Sequence, residues 1–117
     1  MAELKTITTE GLKERLGRGG GFEFWNVLTD DYFNGEMIPG SRRVPLDRVG
    51  REVAGGAVAK DAEVVVYCAG PGCPQSRHAA EKLTELGFAN VRAYEGGIEE
   101  WKQAGHEVER AASTAAA

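Results

Sequence analysis

Cysteine and histidine are both scarce in this chain of 117 residues, which contains two of each. Two cysteines cannot form the disulfide framework of a small secreted scaffold, and a chain of this length can bury a core without one. The paired cysteine and histidine spacing of a structural zinc site is missing as well. We therefore expect no metal and no cofactor. The two cysteines, Cys68 and Cys73, are separated by four residues and point instead to reactive or redox-coupled thiols.

Long apolar runs and an excess of basic residues are also missing. No stretch approaches the length needed to span a membrane, and residues 1–5 alternate charged and apolar side chains instead of forming a signal peptide. The chain has 14 basic and 18 acidic residues, a net charge of -4, and no basic stripe. We therefore expect a cytoplasmic protein that binds neither membranes nor nucleic acids.

The apolar pattern predicts strands that alternate with helices in one domain over residues 1–110. The remaining residues, 111–117, are low in complexity, and we expect them to be disordered. The predicted strands are residues 4–8, 22–27, 42–44, 64–67 and 91–94. The predicted helices start at Thr8 or Thr9 and run to about residue 16, then cover residues 46–53, 76–86 and 97–103. This alternation is typical of a parallel sheet covered on both faces.

The most informative stretch is residues 64–80, which leads from an apolar strand through a Gly/Pro loop with both cysteines into a predicted helix. Residues 64–67 lack the alternation of a half-exposed strand, so we expect a central strand buried on both sides. Cys68 follows at the carboxyl end of this strand, where ligands collect in parallel α/β sheets. Loop amides and a helix N-terminus stabilise thiolates, so we predict that the pKa of Cys68 falls from about 8.5 toward neutrality.

Several interpretations of the loop are open at this point. Pro74 fits the first helical position, which would make Cys73 the N-cap. Cys73 would then lie nearer the positive end of the helix dipole, which makes it the second candidate for the low-pKa, catalytic thiol. Ser76 is an alternative cap. Cys68 has the alternative role of a small buried hydrophobic residue. His78 lies inside the predicted helix and is expected to point away from the loop, so a catalytic cysteine–histidine pair has little support.

Three arginines are candidates for holding an anionic substrate. Arg42 and Arg43 are adjacent, so at least one of them must be exposed. Arg77 would add positive charge beside the loop. The alternative for each is a solvated surface arginine.

The residues around the loop also match a known pattern. Val65-Val66-Tyr67-Cys68 is followed by Ser76, Ala79-Ala80, Leu83, Gly87-Phe88, Val91, Gly96-Gly97-Ile98, Trp101 and Gly105, and is preceded by Ile38-Pro39-Gly40-Ser41 and Val44-Pro45. In these features the chain resembles a single-domain rhodanese from about residue 4 to residue 108. The resemblance implies an α/β rhodanese-like fold, with a parallel five-stranded sheet and helices on both faces.

The resemblance also implies an activity, the transfer of sulfane sulfur through a cysteine persulfide. Cys68 would attack a small donor of the thiosulfate or mercaptopyruvate type, and a thiol would accept the sulfur. The loop amides would cradle the persulfide and the leaving anion, and Ser76 would close the loop with a hydrogen bond. The residues implied in substrate binding are Ala69, Gly70, Pro71, Gly72, Cys73, Pro74, Gln75, Ser76 and Arg77, with Arg42 and Arg43 as further candidates.

The chain departs from the family pattern at four places. Asn26-Val27-Leu28 replaces an Asp-x-Arg sequence, Met37 replaces a histidine, Gln75 replaces an arginine, and the interval from Cys68 to Ser76 is two residues longer. A longer loop leaves room for a larger substrate, as in the related phosphatase and arsenate-reductase branch. That branch depends on an arginine that closes the loop, and Gln75 carries no charge, so phosphatase activity is disfavoured.

Two further hypotheses concern the function of the loop. Cys73 could attack a persulfide on Cys68, release reduced sulfur and leave a disulfide that a cellular reductant reopens. The alternative to catalysis is a rhodanese-like module that binds a protein partner or senses redox state, which the missing arginine favours.

Overall fold

The structure of the protein is a computed structural model that describes residues 5–19, 21–56 and 58–110. Strands and helices alternate along these residues, as the sequence predicts. The helices are α1 (Thr9–Arg18), α2 (Val49–Val53), α3 (Gln75–Glu85) and α4 (Gly97–Gln103), and short 3-10 turns at Leu46–Arg48 and Ala54–Gly56 flank α2. The strands are β1 (Glu23–Asn26), β2 (Glu36–Met37), β3 (Arg42–Arg43), β4 (Val64–Tyr67), β5 (Val91–Tyr94) and β6 (Glu109–Arg110).

The main sheet has four parallel strands in the order β3-β1-β4-β5. All four residues of β4 are buried, and β4 lies between β1 and β5, which confirms the prediction of a central strand buried on both sides. Tyr67, the last residue of β4, pairs with Asn26 of β1 and Tyr94 of β5. The carboxyl ends of these three strands therefore meet at one edge of the sheet. Strands β2 and β6 form a separate antiparallel pair.

The predicted opening strand is reduced to a single bridge. Thr6 pairs in parallel with Ala93 of β5, the Ile7 N–H donates to Ala93 O at 3.1 Å, and the Ala93 N–H donates to Lys5 O at 2.9 Å. Among the described residues the parallel sheet thus has four strands and one adjoining bridge, where the sequence predicts five strands. Residue 4, where the predicted strand begins, lies outside the described residues, as does the predicted tail 111–117.

Alternating side chains of the strands divide the core into two clusters. Trp25, Val64 and Val66 pack with side chains of α2 and α3, including Val49 and Leu83. The intervening strand residues belong to the other cluster, which also contains side chains of α1 and α4; its members are Leu12, Phe24, Ile38, Val65, Tyr67, Tyr94, Ile98 and Trp101. The aromatic side chains of Phe24 and Trp25 are both buried, one in each cluster.

Most helix boundaries follow the local signals. The Thr8 hydroxyl accepts the Gly11 N–H at 3.0 Å and caps α1, and Gly87, with a φ of 99°, follows the end of α3. Pro74 is the N-cap of α3, so the prediction of Cys73 or Ser76 at that position is wrong by one or two residues. The residues after Thr29 form a turn in which the N–H groups of Tyr32 and Phe33 donate to Thr29 O at 2.9 and 3.0 Å. No helix within the described ranges is long and apolar enough to cross a membrane.

Candidate functional site

Cys68 lies directly after β4, at the sheet edge where the carboxyl ends of the strands meet, and its side chain is fully buried. The start of α4 holds the chain here. The Ile98 N–H donates to Cys68 O at 3.1 Å, and the Glu99 N–H donates to Ala69 O at 2.8 Å. Gly97 makes this close approach possible, because a Cβ at this position would overlap the backbone of Cys68 and Ala69. The backbone at the start of the loop is therefore fixed.

The surroundings of the thiol keep it protonated. The Cys68 Sγ–H donates to Cys73 O at 3.4 Å. Burial and the neighbouring Cys73 raise the pKa of Cys68 to about 11, although the hydroxyl and backbone N–H of Ser76 act in the opposite direction. The predicted fall of this pKa toward neutrality is wrong, because desolvation of the thiolate outweighs the stabilisation from Ser76.

Ser76 places an unused hydrogen-bond donor beside this thiol. Its side chain is fully buried, and its Oγ has no hydrogen-bond partner of ordinary geometry among the described residues. The Ser76 hydroxyl nevertheless lies close enough to the Cys68 sulfur to favour its thiolate. Buried polar groups without a partner are rare in native proteins, so this one indicates a place where charge can form. The family resemblance implies that Ser76 closes the loop with a hydrogen bond, but its hydroxyl makes no hydrogen bond of ordinary geometry with a described residue.

The loop between the cysteine and the helix folds back as a turn. The Cys73 N–H donates to Gly70 O at 3.0 Å, with Pro71 and Gly72 at the two central positions. Pro and Gly are favoured at such positions because of the backbone angles that they adopt. The Cys73 amide is therefore used inside the loop and does not help to cradle a ligand, in contrast to the expectation for the whole segment from Ala69 to Gln75.

Gln75 closes the loop through a contact that the sequence does not reveal. Its side-chain Oε1 accepts the Thr29 N–H at 3.0 Å, and its Nε2 donates to Thr29 Oγ1 at 3.0 Å. The amide thus joins the start of α3 to the segment after β1. Thr29 lies 46 residues away in the chain, so local patterns cannot identify this pair.

Two adjoining cavities open above the loop. The larger, which we call the loop cavity, has a volume of about 490 Å³, and the smaller has a volume of about 370 Å³. Both are lined by Leu28, Tyr32, Ala69 and Glu99. The loop cavity is also lined by Gly70, Gly72, Cys73, Pro74 and Gln75. Neither the exposed Pro71 nor the buried Ser76 is among the residues that line it.

The two cysteines differ in their access to the loop cavity. Cys73 lines it and is partly exposed, whereas Cys68 lies beneath the loop, covered by protein. Both are free thiols. A reagent in the cavity therefore reaches Cys73 first, and the loop must shift before the Cys68 sulfur can react.

The structure does not bring Arg42 and Arg43 to the loop. Arg42 pairs with Glu52 at 2.8 Å and with Glu23 at 3.3 Å on the surface. The guanidinium of Arg43 donates to Leu28 O and to Asn26 Oδ1, and it pairs with Asp30. Both groups are held by protein acceptors, so neither lines the two cavities.

Arg43 and Asn26 have a positioning role instead. Asn26 is fully buried, and its Oδ1 accepts both from Arg43 Nη1 at 3.1 Å and from the Leu28 N–H at 3.1 Å. The guanidinium of Arg43 also lies 3.9 Å from the centre of the Phe33 ring. These contacts fix the segment that carries Leu28 and Thr29 to the cavities.

Arg77 is exposed at the first turn of α3 and pairs with Glu95 at 3.2 Å. It does not line either cavity. His78, predicted to point away from the loop, is also exposed and outside both linings. Within the described ranges, no three His, Cys, Asp or Glu side chains are grouped so as to hold a metal ion.

The hydroxyl of Tyr67 connects β4 to the Ile-Pro-Gly-Ser segment noted in the sequence. The buried hydroxyl of Tyr67 accepts the Ile38 N–H at 2.9 Å and shares a 2.6 Å hydrogen bond with Ser41 Oγ. Ser41 Oγ also lies 2.6 Å from Ile38 O. Burial raises the pKa of Tyr67, so it remains a neutral phenol.

Four residues of the site are missing from the sequence-based prediction: Leu28, Thr29, Tyr32 and Glu99. Three of them follow β1, where the chain reaches the same sheet edge as Cys68. The available signal was the topology itself, since side chains after adjacent parallel strands meet at one edge. Glu99 is carried by α4, whose start contacts the backbone of the loop.

Comparison with known proteins agrees with this geometry. A family model described as Rhodanese-like domain matches residues 8–104. No curated protein matches the sequence.

Among solved structures, a protein from Bacillus halodurans is 27% identical with a TM-score of 0.78, and the match covers 91% of this chain and 77% of that one. A rhodanese-like domain protein from Staphylococcus aureus is 26% identical with a TM-score of 0.74, over 93% of this chain and 100% of that one. A thiosulfate sulfurtransferase from Pseudomonas aeruginosa is 25% identical with a TM-score of 0.77, over 92% of this chain but only 20% of that one. Because the rhodanese-like family model matches most of its length, the chain belongs to the rhodanese-like domain family.

Proposed function

We propose that this domain transfers sulfane sulfur through a persulfide on Cys68. The observation that carries the proposal is the buried hydroxyl of Ser76, which lies beside the Cys68 sulfur and has no other partner among the described residues. The position of Cys68 after the central strand and the similarity to a thiosulfate sulfurtransferase support the same chemistry. Thiosulfate and mercaptopyruvate are the types of donor that the family resemblance implies, and a thiol accepts the sulfur.

The reaction consists of two displacements at sulfur. The Cys68 thiolate attacks the outer sulfur of the donor, the S–S or C–S bond of the donor breaks, and its electron pair leaves with the donor anion. The thiolate of the acceptor then attacks the outer sulfur of the persulfide. This second step releases the Cys68 thiolate and forms the product persulfide on the acceptor.

The resting thiol must lose its proton before it can act. A thiolate cannot donate to Cys73 O, so ionisation of Cys68 breaks the contact that holds the loop over the sulfur. The Ser76 hydroxyl and N–H then become the donors that stabilise the anion. In this mechanism deprotonation of Cys68 and opening of the loop occur together.

Cys73 supplies a second step in this proposal. Its thiolate attacks the inner sulfur of the Cys68 persulfide, the S–S bond breaks, and hydrosulfide leaves with the electron pair. The two cysteines are thereby oxidised to a disulfide, and the sulfane sulfur is reduced. A cellular dithiol reopens the bridge, so this cycle requires a reducing compartment such as the cytoplasm.

Mass spectrometry of the intact protein tests both steps. Wild type, Cys68→Ser and Cys73→Ser are incubated with thiosulfate or mercaptopyruvate, and circular dichroism checks their folding. We expect one added sulfur atom on wild type and on Cys73→Ser, and none on Cys68→Ser. The Cys73→Ser persulfide should last longer, since its resolving thiol is missing. Failure of the folded Cys73→Ser variant, which cannot form the bridge, to gain sulfur from either donor would refute sulfur transfer from donors of this type.

A non-catalytic rhodanese-like module that binds a protein partner or senses redox state is the second candidate. The full burial of Cys68 and its pKa of about 11 favour this alternative. The rate of alkylation of Cys68 as a function of pH separates the two. Fast alkylation near neutral pH supports catalysis, whereas a slow reaction that accelerates only above about pH 9 supports the binding module.

Phosphatase or arsenate-reductase activity would need a cation at the loop. Gln75 is neutral, and both ends of its amide are bonded to Thr29. Only measured turnover of a phosphoryl or arsenate substrate would support this activity.

We also infer that the complete domain has the five-stranded sheet with helices on both faces that the family resemblance implies. The bridge between Thr6 and Ala93 and the two core clusters support this inference.

A further inference from the structure

The charge at the mouth of the loop cavity is negative. Glu99 is the charged residue among those that line this cavity, and it also lines the adjoining one. A carboxylate oxygen of Glu99 lies 2.8 Å from the position that a Cβ on Gly70 would occupy. The carboxylate therefore lies close to the loop backbone at Gly70, among the residues that line both cavities.

The cations near the mouth are already paired with other carboxylates. Lys102 Nζ, in the adjoining cavity, lies 3.0 Å from Glu36, and this contact lowers the pKa of Glu36. Arg77 pairs with Glu95 at 3.2 Å. None of the ion pairs within residues 5–19, 21–56 and 58–110 involves Glu99. Because Lys102 and Glu36 offset each other, the charge of Glu99 is the net charge of the residues that line the two cavities.

The rest of the loop cavity is neutral and partly apolar. Leu28, Tyr32 and Pro74 supply apolar surface, and the Gln75 amide supplies no charge. Tyr32 is 69% exposed, which is unusual for an aromatic side chain and leaves its ring available to a ligand. The volume of about 490 Å³ accommodates an organic group in addition to the sulfur atoms.

These features act differently on donors of different charge. An anion that enters the cavity is repelled by Glu99, a dianion such as thiosulfate twice as strongly, and a neutral donor is not affected. A cationic donor is attracted. Because Glu99 is exposed, water and salt weaken the interaction, so we expect effects of severalfold and not of many orders of magnitude.

We propose that Glu99 makes this site prefer a persulfide donor with an uncharged or positively charged organic group over thiosulfate and other anions. This inference rests on the proposed sulfur transfer at Cys68. The Cys68 thiolate attacks the outer sulfur of R–S–SH, the S–S bond breaks, and its electron pair leaves on RS⁻. The thiol proton of Cys68 ends on RS⁻, so the products are RSH and the Cys68 persulfide.

Sulfur loading from three small donors tests the preference. The donors are cysteamine persulfide as the cation, 2-mercaptoethanol persulfide as the neutral molecule, and thiosulfate as the dianion, all in mildly acidic buffer, where the –S–SH groups keep their protons and thiosulfate remains a dianion. Each is compared between wild type and Glu99→Gln, so intrinsic differences in donor reactivity cancel. The matched control is Asp61→Asn, which removes an exposed carboxylate at the opposite end of β4.

We expect Glu99→Gln to accelerate loading from thiosulfate by about three- to tenfold, to leave the neutral donor unchanged, and to slow the cationic donor. Asp61→Asn should change none of the three. The effect of Glu99→Gln on thiosulfate should also shrink as the ionic strength rises, which a purely structural role of Glu99 would not produce.

Alkylation of Cys73 measures the electrostatic effect of Glu99 in the loop cavity without any sulfur transfer. In Cys68→Ser the remaining thiol lines the loop cavity, so its rates with neutral iodoacetamide and anionic iodoacetate can be compared. Adding Glu99→Gln should lower the preference for iodoacetamide by about two- to threefold.

The outcomes separate the two proposals. If wild type loads sulfur but Glu99→Gln changes all three donors and both alkylating reagents alike, the charge preference is wrong and sulfur transfer stands. If wild type takes sulfur from no donor, the proposed function is overturned, and the donor preference falls with it.

Discussion

The side-chain amide of Gln75 forms two hydrogen bonds with Thr29, each at 3.0 Å: it accepts from the Thr29 backbone N–H and donates to the Thr29 hydroxyl oxygen. A neutral clasp thus ties the start of α3 to the segment after β1. Gln75→Ala should lower the free energy of unfolding by about 1–2 kcal/mol and accelerate alkylation of Cys68. Gln103→Ala, a matched control on α4, should stay within about 0.5 kcal/mol. Urea unfolding and alkylation kinetics measure both, and equal behaviour of the two variants would contradict the role of the clasp.

The pKa of Cys68 predicts a loss of stability in alkaline solution. The folded thiol titrates at about 11, whereas an unfolded one titrates near about 8.5. Between these values the folded state keeps a proton that the unfolded state releases, so the contribution is complete below about pH 8.5 and is lost as the pH rises toward 11. The stability of wild type relative to Cys68→Ala should therefore fall between about pH 8.5 and pH 10.5. Urea titrations at several pH values measure it, and a constant difference would show that this pKa is not raised.

The Tyr67 hydroxyl should be important for stability because it forms hydrogen bonds with the Ile38 N–H and the Ser41 hydroxyl inside the protein. Tyr67→Phe leaves the Ile38 N–H without its acceptor and removes the bond to Ser41, so we expect a loss of about 1–3 kcal/mol. Tyr32→Phe makes the same chemical change at an exposed ring and should be nearly neutral. Thermal and urea unfolding of the two variants test this contrast, which would fail if both changed stability equally.

Gly97 and Gly17 provide a second matched pair. Gly97 has a φ of 62°, and a Cβ there would overlap the backbone of Cys68 and Ala69. Gly97→Ala should therefore cost more than about 2 kcal/mol, or prevent folding. Gly17 lies in α1 with nothing within 4 Å of an added Cβ, so Gly17→Ala should stabilise the protein by about 0.5–1 kcal/mol. Soluble yield and unfolding curves of the two variants measure both effects, and a Gly97→Ala variant as stable as wild type would contradict the close approach at Gly97.

The sequence predicts well those elements that depend on local patterns. The apolar run of β4, the helical spacing of α3 and the position of Cys68 after β4 all follow from neighbouring residues. The family resemblance extends this to the parallel sheet. The predicted opening strand, residues 4–8, appears as the single bridge between Thr6 and Ala93 because its pairing with β5 depends on tertiary contacts and not on its own short pattern.

Features that depend on contacts between distant residues were not predictable in this way. Thr29 and Gln75 meet only because β1 and β4 end at the same edge of the sheet. The raised pKa of Cys68 has a similar origin. Sequence reasoning recognises a helix N-terminus beside the thiol, but it cannot measure how completely the loop excludes water from the sulfur. That desolvation determines whether the pKa of Cys68 rises or falls.

The loop is fastened at both ends, and its middle covers the thiol. The amides of α4 hold its first two carbonyl groups, Gln75 fastens its end to Thr29, and Cys73 O accepts from the Cys68 sulfur. Residues inserted or removed between Gly70 and Pro74 would therefore change the cover over the sulfur while both ends of the loop stay anchored. Loop length thus adjusts access to the sulfur separately from the position of the residue that carries it, so variants of one scaffold can differ in the ligands that reach the thiol.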